Sequence, residues 1–185
     1  PTEYQILYHT NFGTPLLEEG SECLVAAQKV TPFNERAAEG DVKQYATFAG
    51  PSAGFVEQVF CIEPYSDSNG QTIAALVNKA KNRAVSIKYQ TGDLPFLTLW
   101  KNTTSIEDGY VTGIEPGTNY PYNRNLERQA GRVPKLAGKE SKEIELEFTI
   151  HSNEGEVRQL TSAIGAIKAN RLCDIATRPN PPKAE

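Results

Sequence analysis

Two side chains able to exchange protons near neutral pH, His9 and Glu115, each close a short apolar run and open a loop of turn residues and polar donors. Glu115 follows residues 110–114, the last four uncharged, and leads into Pro116-Gly117-Thr118-Asn119-Tyr120-Pro121-Tyr122-Asn123-Arg124. A carboxylate at the mouth of a sheet, with amide (Asn119), hydroxyl and guanidinium (Arg124) donors close behind it, suits a polyhydroxylated ligand. The plainer alternative is a solvated loop carboxylate. His9 follows the run 4–8 and opens His9-Thr10-Asn11-Phe12-Gly13, repeating the arrangement of strand first and polar group at its end. A free glutamic acid titrates at about 4.3 and a free imidazole at about 6.5, so together they can act as base and acid at neutral pH if the imidazole keeps its proton.

The elements that must position these groups are mostly strands. Runs of period two fall at 4–8, 22–30, 55–63, 72–77, 84–89, 97–101, 110–114 and 143–150, separated by turns such as Asp67-Ser68-Asn69-Gly70 and the stretch 78–82. In the third run Glu57 and Gln58 interrupt an otherwise apolar strand, whereas 143–150 alternates charge and apolar residue throughout, as a half-buried strand does. Residues 124–142 are polar, with Gly131, Pro134 and Gly138 as breakers. The period changes once, at Val157, Leu160, Ile164 and Ile167, which predicts a single helix over 157–168. The pattern predicts one mainly all-β domain, an antiparallel sandwich or barrel, with that one C-terminal helix and a disordered tail over 179–185.

The chain of 185 residues carries a net charge of -4, which argues against nucleic acid or an anionic membrane surface as partner. No apolar window is long enough to span a bilayer, and no export signal is visible. Cys23, Cys61 and Cys173 are odd in number and lack metal-ligand spacing, so they are expected to be reduced, mostly buried thiols of a cytoplasmic protein. No metal or cofactor is expected. The chain holds no methionine and begins at Pro1, as a processed product or a piece of a longer protein would.

Three stretches together resemble the galactose mutarotase-like (aldose 1-epimerase) superfamily, in particular an epimerase-like bacterial branch. Tyr8-His9-Thr10-Asn11-Phe12-Gly13 resembles its catalytic-histidine segment. Gly54-Phe55-Val56-Glu57-Gln58-Val59-Phe60 resembles the segment that supplies an Asp-His pair to sugar hydroxyls. Ile114-Glu115-Pro116-Gly117-Thr118-Asn119-Tyr120-Pro121 resembles the segment with the catalytic Glu. The resemblance implies an antiparallel β-supersandwich in which residues 1–178 form the C-terminal part, so that the fold is incomplete in this chain. It implies interconversion of sugar anomers by ring opening, with Glu115 as base and His9 as acid. Glu57 and Gln58 stand where an Asp and a His are commoner, so the hydroxyl contacts and the preferred sugar are expected to differ. The family's further His and Arg, from a segment ahead of the first motif, have no counterpart here. A second chain, a missing N-terminal segment or self-association is the corresponding expectation.

Within this reading Asn11, Glu57, Gln58, Trp100, Lys101, Asn119, Arg124 and Arg128 are the candidate contacts to a monosaccharide or sugar derivative. Trp100 with Lys101 is either a stacking platform with a hydroxyl donor or a buried pair. Arg124 and Arg128 either bind an anionic sugar or pair with Glu127 and other loop acids. His151 is read as structural. Glu115 and His9 should face one cleft from neighbouring strands, about a pyranose width apart, with Glu57 pointing into it. The rival readings are a non-catalytic carbohydrate-binding or sugar-sensing module and a purely structural sandwich.

Overall fold

A computed structural model describes residues 1–182. The strands in chain order are β1 (Thr2–Glu3), β2 (Asn11–Phe12), β3 (Glu22–Val25), β4 (Ala27–Pro32), β5 (Gln58–Pro64), β6 (Gln71–Val77), β7 (Ala84–Gln90), β8 (Phe96–Asn102), β9 (Val111–Gly117), β10 (Lys135–Leu136), β11 (Leu146–His151) and β12 (Asp174–Ile175). They form a six-stranded sheet in the order β12-β4-β5-β8-β9-β2, a four-stranded sheet in the order β11-β7-β6-β3, and a small β1-β10 pair. Pairing is antiparallel except where β12 joins β4. The fold is a β-sandwich, and its core lies between the two larger sheets. Phe60, Ile62, Leu97, Leu99 and Ile114 from one sheet meet Cys23, Ala74, Leu76, Ile87 and Tyr89 from the other.

Because side chains alternate across a strand, the residues between these core positions are forced to the outer faces. On the four-stranded sheet that outer face is covered by helix α2 (Glu154–Lys168), through Val157, Leu160, Ile164 and Ile167 against Ala75, Val77 and Ala84. The Asn153 side chain caps α2 by accepting from the Glu156 backbone N–H, and the Glu156 carboxylate reaches back to the Ser152 N–H. On the six-stranded sheet the outer face carries Val59, Cys61, Glu63, Phe96, Thr98, Trp100, Gly113 and Glu115, as the β5-β8-β9 register requires.

Residues 118–133 fold over one end of this second outer face and include the short helix α1 (Arg124–Gln129), capped by the Asn123 side chain. Inside this cover the fully buried Glu127 accepts from Arg132 Nε at 2.7 Å and Nη2 at 2.6 Å, and from the Tyr120 backbone N–H. Tyr120 in turn donates its hydroxyl to Glu63 and packs on Phe96, while Tyr122 stacks on Phe33. The cover ends short of Trp100 and Glu115, and there the face opens into a cleft.

The structure departs from the sequence expectations in several places, among them the later starts of two expected strands, at Gln58 rather than 55 and at Leu146 rather than 143. Residues 4–8 run alongside β9 but form only an isolated bridge, Leu7 to Gly117, rather than a strand. Pro116 accepts from Tyr8 N–H yet has no N–H to return, so the ladder cannot continue there. The run 22–30 is divided between β3 and β4, because the chain crosses from one sheet to the other at the buried Ala26. A second helix, α1, sits in the polar stretch 124–142. The longest helix begins at Glu154, three residues before Val157 and directly after its cap Asn153.

At the edge of the four-stranded sheet, Phe148 and Ile150 pair with Ile87 and Val85 and share their inward side, yet they are 51% and 81% exposed. An apolar strip is therefore uncovered along β11. Cys23 and Cys61 are buried and Cys173 is half-buried; all three are free thiols. No helix among the described residues is long and apolar enough to cross a membrane. Of the expected tail, residues 179–182 have no regular structure, and 183–185 lie outside the described residues.

Removing one partner of a buried ion pair leaves an uncompensated charge, which typically costs about 3–5 kcal/mol. Arg132→Met should therefore lower the unfolding free energy by about 3 kcal/mol, because Arg132 is itself partly exposed and water can reach the site. Urea denaturation checks this, and an unchanged midpoint would show that the Glu127 pair does not hold the cover.

Candidate functional site

The cleft occupies about 290 Å³ on the outer face of the six-stranded sheet and is lined by Leu7, His9, Phe33, Glu57, Val59, Thr98, Trp100, Glu115 and Pro121. Strand alternation explains this membership. Ile114 is fully buried in the sandwich core, so Glu115 must point the other way, beside its register partner Thr98 on β8. Trp100 is two residues from Thr98 and therefore on the same face. His9 reaches the site because β2 pairs with β9, with Asn11 opposite Gly113.

Glu115 is only 2% exposed, and its side chain lies back over Gly113. A Cβ at Gly113 would overlap the carboxyl group, coming within 2.9 Å of Cδ, so this position requires glycine for close approach. His9 Nδ1 lies 3.1 Å from Glu115 Oε1 and 3.0 Å from Asn11 Oδ1. Oε1 makes no hydrogen bond among the described residues. Burial pushes the Glu115 carboxyl up to about 7, opposed by the nearby imidazole. A group poised near neutrality can take and return a proton at physiological pH.

The imidazole is half exposed and sits edge-on to the Trp100 indole, with ring centroids 5.7 Å apart. Trp100 Nε1 donates to Glu57 Oε2 at 2.7 Å, which fixes the indole plane along the wall of the cleft. Leu7, Val59, Phe33 and Pro121 add apolar surface, and among the described residues no lysine or arginine lines the cleft.

The structure thus brings together His9, Glu115, Asn11, Glu57 and Trp100, and it separates the other candidates from them. Gln58 and Lys101 directly follow Glu57 and Trp100, and alternation sends both to the far side of the sheet. There Lys101 Nζ donates to the Tyr45 and Thr47 carbonyls, and Gln58 Nε2 reaches the Arg36 carbonyl. Asn119 is buried and donates to the Tyr120 carbonyl, serving the loop that carries it. Arg124 donates to Gln5, and Arg128 to Glu3 and Asn125, so both are held on the surface of the cover. Glu3 is the acidic partner of Arg128 and Gln5 the neutral partner of Arg124, whereas Glu127 pairs with Arg132. The expected pyranose-wide gap between Glu115 and His9 is absent, since the two touch: the imidazole is the one cationizable group available to the buried carboxyl. His151 bonds Ser86 on the other sheet. Among the described residues no group of His, Cys, Asp and Glu could hold a metal ion.

Sequence reasoning missed Thr98, Gly113 and Phe33. The register of β8 against β9 would have found the first two, because it aligns Thr98 with Glu115 and Trp100 with Gly113.

A family described as Domain of unknown function (DUF4432) matches residues 1–150, and the chain belongs to that family. Over 99% of its length the chain is also similar to a protein from Klebsiella pneumoniae subsp. pneumoniae MGH 78578 whose crystal structure is described as that of a "putative aldose 1-epimerase". The identity is 42% and the TM-score 0.93. This chain spans 47% of the length of that protein, about half. No curated protein matches it.

For Glu115 the folded value lies above the ordinary 4.5, so the unfolded chain gives up the proton first. Stability is intact below about pH 4.5 and is lost as pH rises towards 7, by at most about 3 kcal/mol. Glu115→Gln should abolish this loss, so that the variant overtakes the native protein in stability at pH 8. Gly113→Ala should push the carboxyl into water and return its titration, followed by carbon NMR, to the ordinary glutamate range. A titration near 7 surviving in Gly113→Ala would show that the close approach over Gly113 is unimportant.

Proposed function

We propose that the chain contributes the acid–base centre of an aldose 1-epimerase-like isomerase. The observation that carries this reading is the contact of a buried, high-pKa Glu115 with His9 on the floor of a cleft walled by an indole. In the reaction, Glu115 removes the proton from the anomeric hydroxyl while His9 delivers one to the ring oxygen. The bond between C1 and the ring oxygen breaks, giving the open-chain aldehyde. Rotation about C1–C2 and closure by the reverse transfers then yield the other anomer, with both residues restored. Trp100 offers an apolar face for the C–H side of a pyranose, and Glu57 holds the indole in place. The absence of lysine and arginine from the cleft supports an uncharged sugar over a phosphorylated or acidic one. The description of the Klebsiella protein supports the same reading.

We further infer that residues 1–178 are one part of a larger sandwich, matching the C-terminal part of the mutarotase-like fold. The uncovered strip at Phe148 and Ile150 and the twofold length of the relative support this. The remainder comes from a second segment or chain, or from self-association. A stable monomer at micromolar concentration in sedimentation, with no co-purifying chain, would count against it.

A second reading, sugar binding without turnover, draws on the same contact. With His9 Nδ1 only 3.1 Å from Glu115 Oε1, a hemiacetal does not fit between them, and a ligand must part them before catalysis begins.

Exchange NMR on freshly dissolved aldoses separates the two readings. General acid and base groups each contribute about 10²–10⁴-fold. Glu115→Gln and His9→Asn should accordingly each slow anomer exchange by about 100-fold or more, with sugar affinity kept within a few-fold. The assay uses the protein together with any chain that co-purifies. Full activity in Glu115→Gln removes the acid–base reading, and binding with no exchange in the native protein favours the second.

A further inference from the structure

Thr98 is the register partner of Glu115, and it is 2% exposed on the cleft side of β8. Its hydroxyl has no hydrogen-bond partner among the described residues, and Glu115 Oε1 likewise makes no hydrogen bond, although His9 Nδ1 stands 3.1 Å from it. The neighbouring Thr112 shows how the protein treats a threonine that serves only structure. On the core side of β9, Thr112 is fully buried and donates to the Trp100 carbonyl at 2.7 Å. Folded proteins pair nearly all buried polar groups, and an unpaired one is costly. Two such atoms on directly paired residues, both facing one cleft, mark a place that a ligand completes. Their chemistry is also complementary: a hydroxyl donor beside a carboxyl acceptor matches an alcohol, which accepts from the first and donates to the second.

We propose that Thr98 is a ligand-binding residue, whose hydroxyl together with Glu115 Oε1 holds one hydroxyl group of the sugar on the floor of the cleft. The inference rests on the sugar-binding reading above and adds to it a residue that lies outside all three resemblance motifs. Thr98 orients the substrate and moves no proton, so it acts on affinity and positioning. It also gives the site a discrimination that apolar walls lack, because a sugar without that hydroxyl leaves two buried groups unpaired.

The test uses Thr98→Val, which keeps the shape and removes the hydroxyl, and Thr98→Ser, which keeps the hydroxyl. Trp100 is the only tryptophan in the chain and lines the cleft, so its fluorescence, checked by ligand-observed NMR, reports titrations with neutral aldohexoses. Thr98→Val should bind about tenfold more weakly, while Thr98→Ser stays within about twofold of the native protein. The thermal midpoint of Thr98→Val should be equal to or above the native one, since an unpaired polar group has been removed; a structural threonine would lower it. In a panel of singly deoxygenated sugars, one should bind the native protein and Thr98→Val equally, which identifies the hydroxyl concerned. If the native protein binds sugars and Thr98→Val binds them as well, the assignment of Thr98 is overturned and the functional reading stands. If the native protein binds no sugar by either measurement, both are overturned.

Discussion

The antiparallel pairing of β8 with β9 sets the terms for everything on the cleft side of the sheet. One face of that pair, Leu97, Leu99 and Ile114, is committed to the sandwich core by its apolar character. Alternation then leaves Thr98, Trp100, Gly113 and Glu115 together on the other face without further choice. The hydrophobic effect acting on one side thus fixes chemistry on the other. A slip of one residue would bury Glu115 in the core and expose Ile114, so the register is defended by both residues at once.

Glu115 shows which term wins in the site. Burial raises the carboxyl and His9 lowers it, and the net value near 7 means that desolvation prevails. The half-exposed imidazole explains the weakness of the opposing effect, because water screens any charge it carries. Elsewhere in the same layer the balance is reversed. Glu127 is buried as deeply as Glu115, yet it receives two short bonds from Arg132 and one from the Tyr120 backbone. One buried acid is satisfied and fastens the cover; the other is left wanting a partner at the open end.

Most strand runs, the terminal helix and the placing of His9 and Glu115 at one cleft were legible because each rests on local period or on motif, whereas the direct contact of the two was not. The errors share one cause, which is that spacing along the chain was read without the period of the strand that carries it. Glu57 with Gln58, and Trp100 with Lys101, are consecutive, so no strand can present both members of either pair to one cleft. Arg124 and Arg128 were drawn in by proximity to Glu115 in sequence, but the intervening cover carries them to Glu3 and Gln5. Their partners lie more than a hundred positions away, and no local pattern encodes them. Thr98 was invisible for the converse reason: a threonine in an apolar strand reads as a β-former until its opposite number is known.

The unpaired atoms are themselves localised. Of the four buried side-chain atoms without partners among the described residues, Thr98 Oγ1 and Glu115 Oε1 lie on one cross-strand pair, and Thr72 Oγ1 and Tyr89 Oη lie on another, between β6 and β7. Only the first pair lines the cleft that holds a half-exposed imidazole and an indole. A protein that satisfies Glu127 three times over in the cover beside this sheet face has the means to satisfy Glu115. Leaving it short, beside a threonine in the same condition, weakens the ligand-free fold at the spot where an alcohol could supply both missing bonds. On the reading proposed above, stability given up there would return as binding energy when a ligand arrives, and a rigid β-sandwich could host an acid–base carboxyl without a flexible loop to carry it.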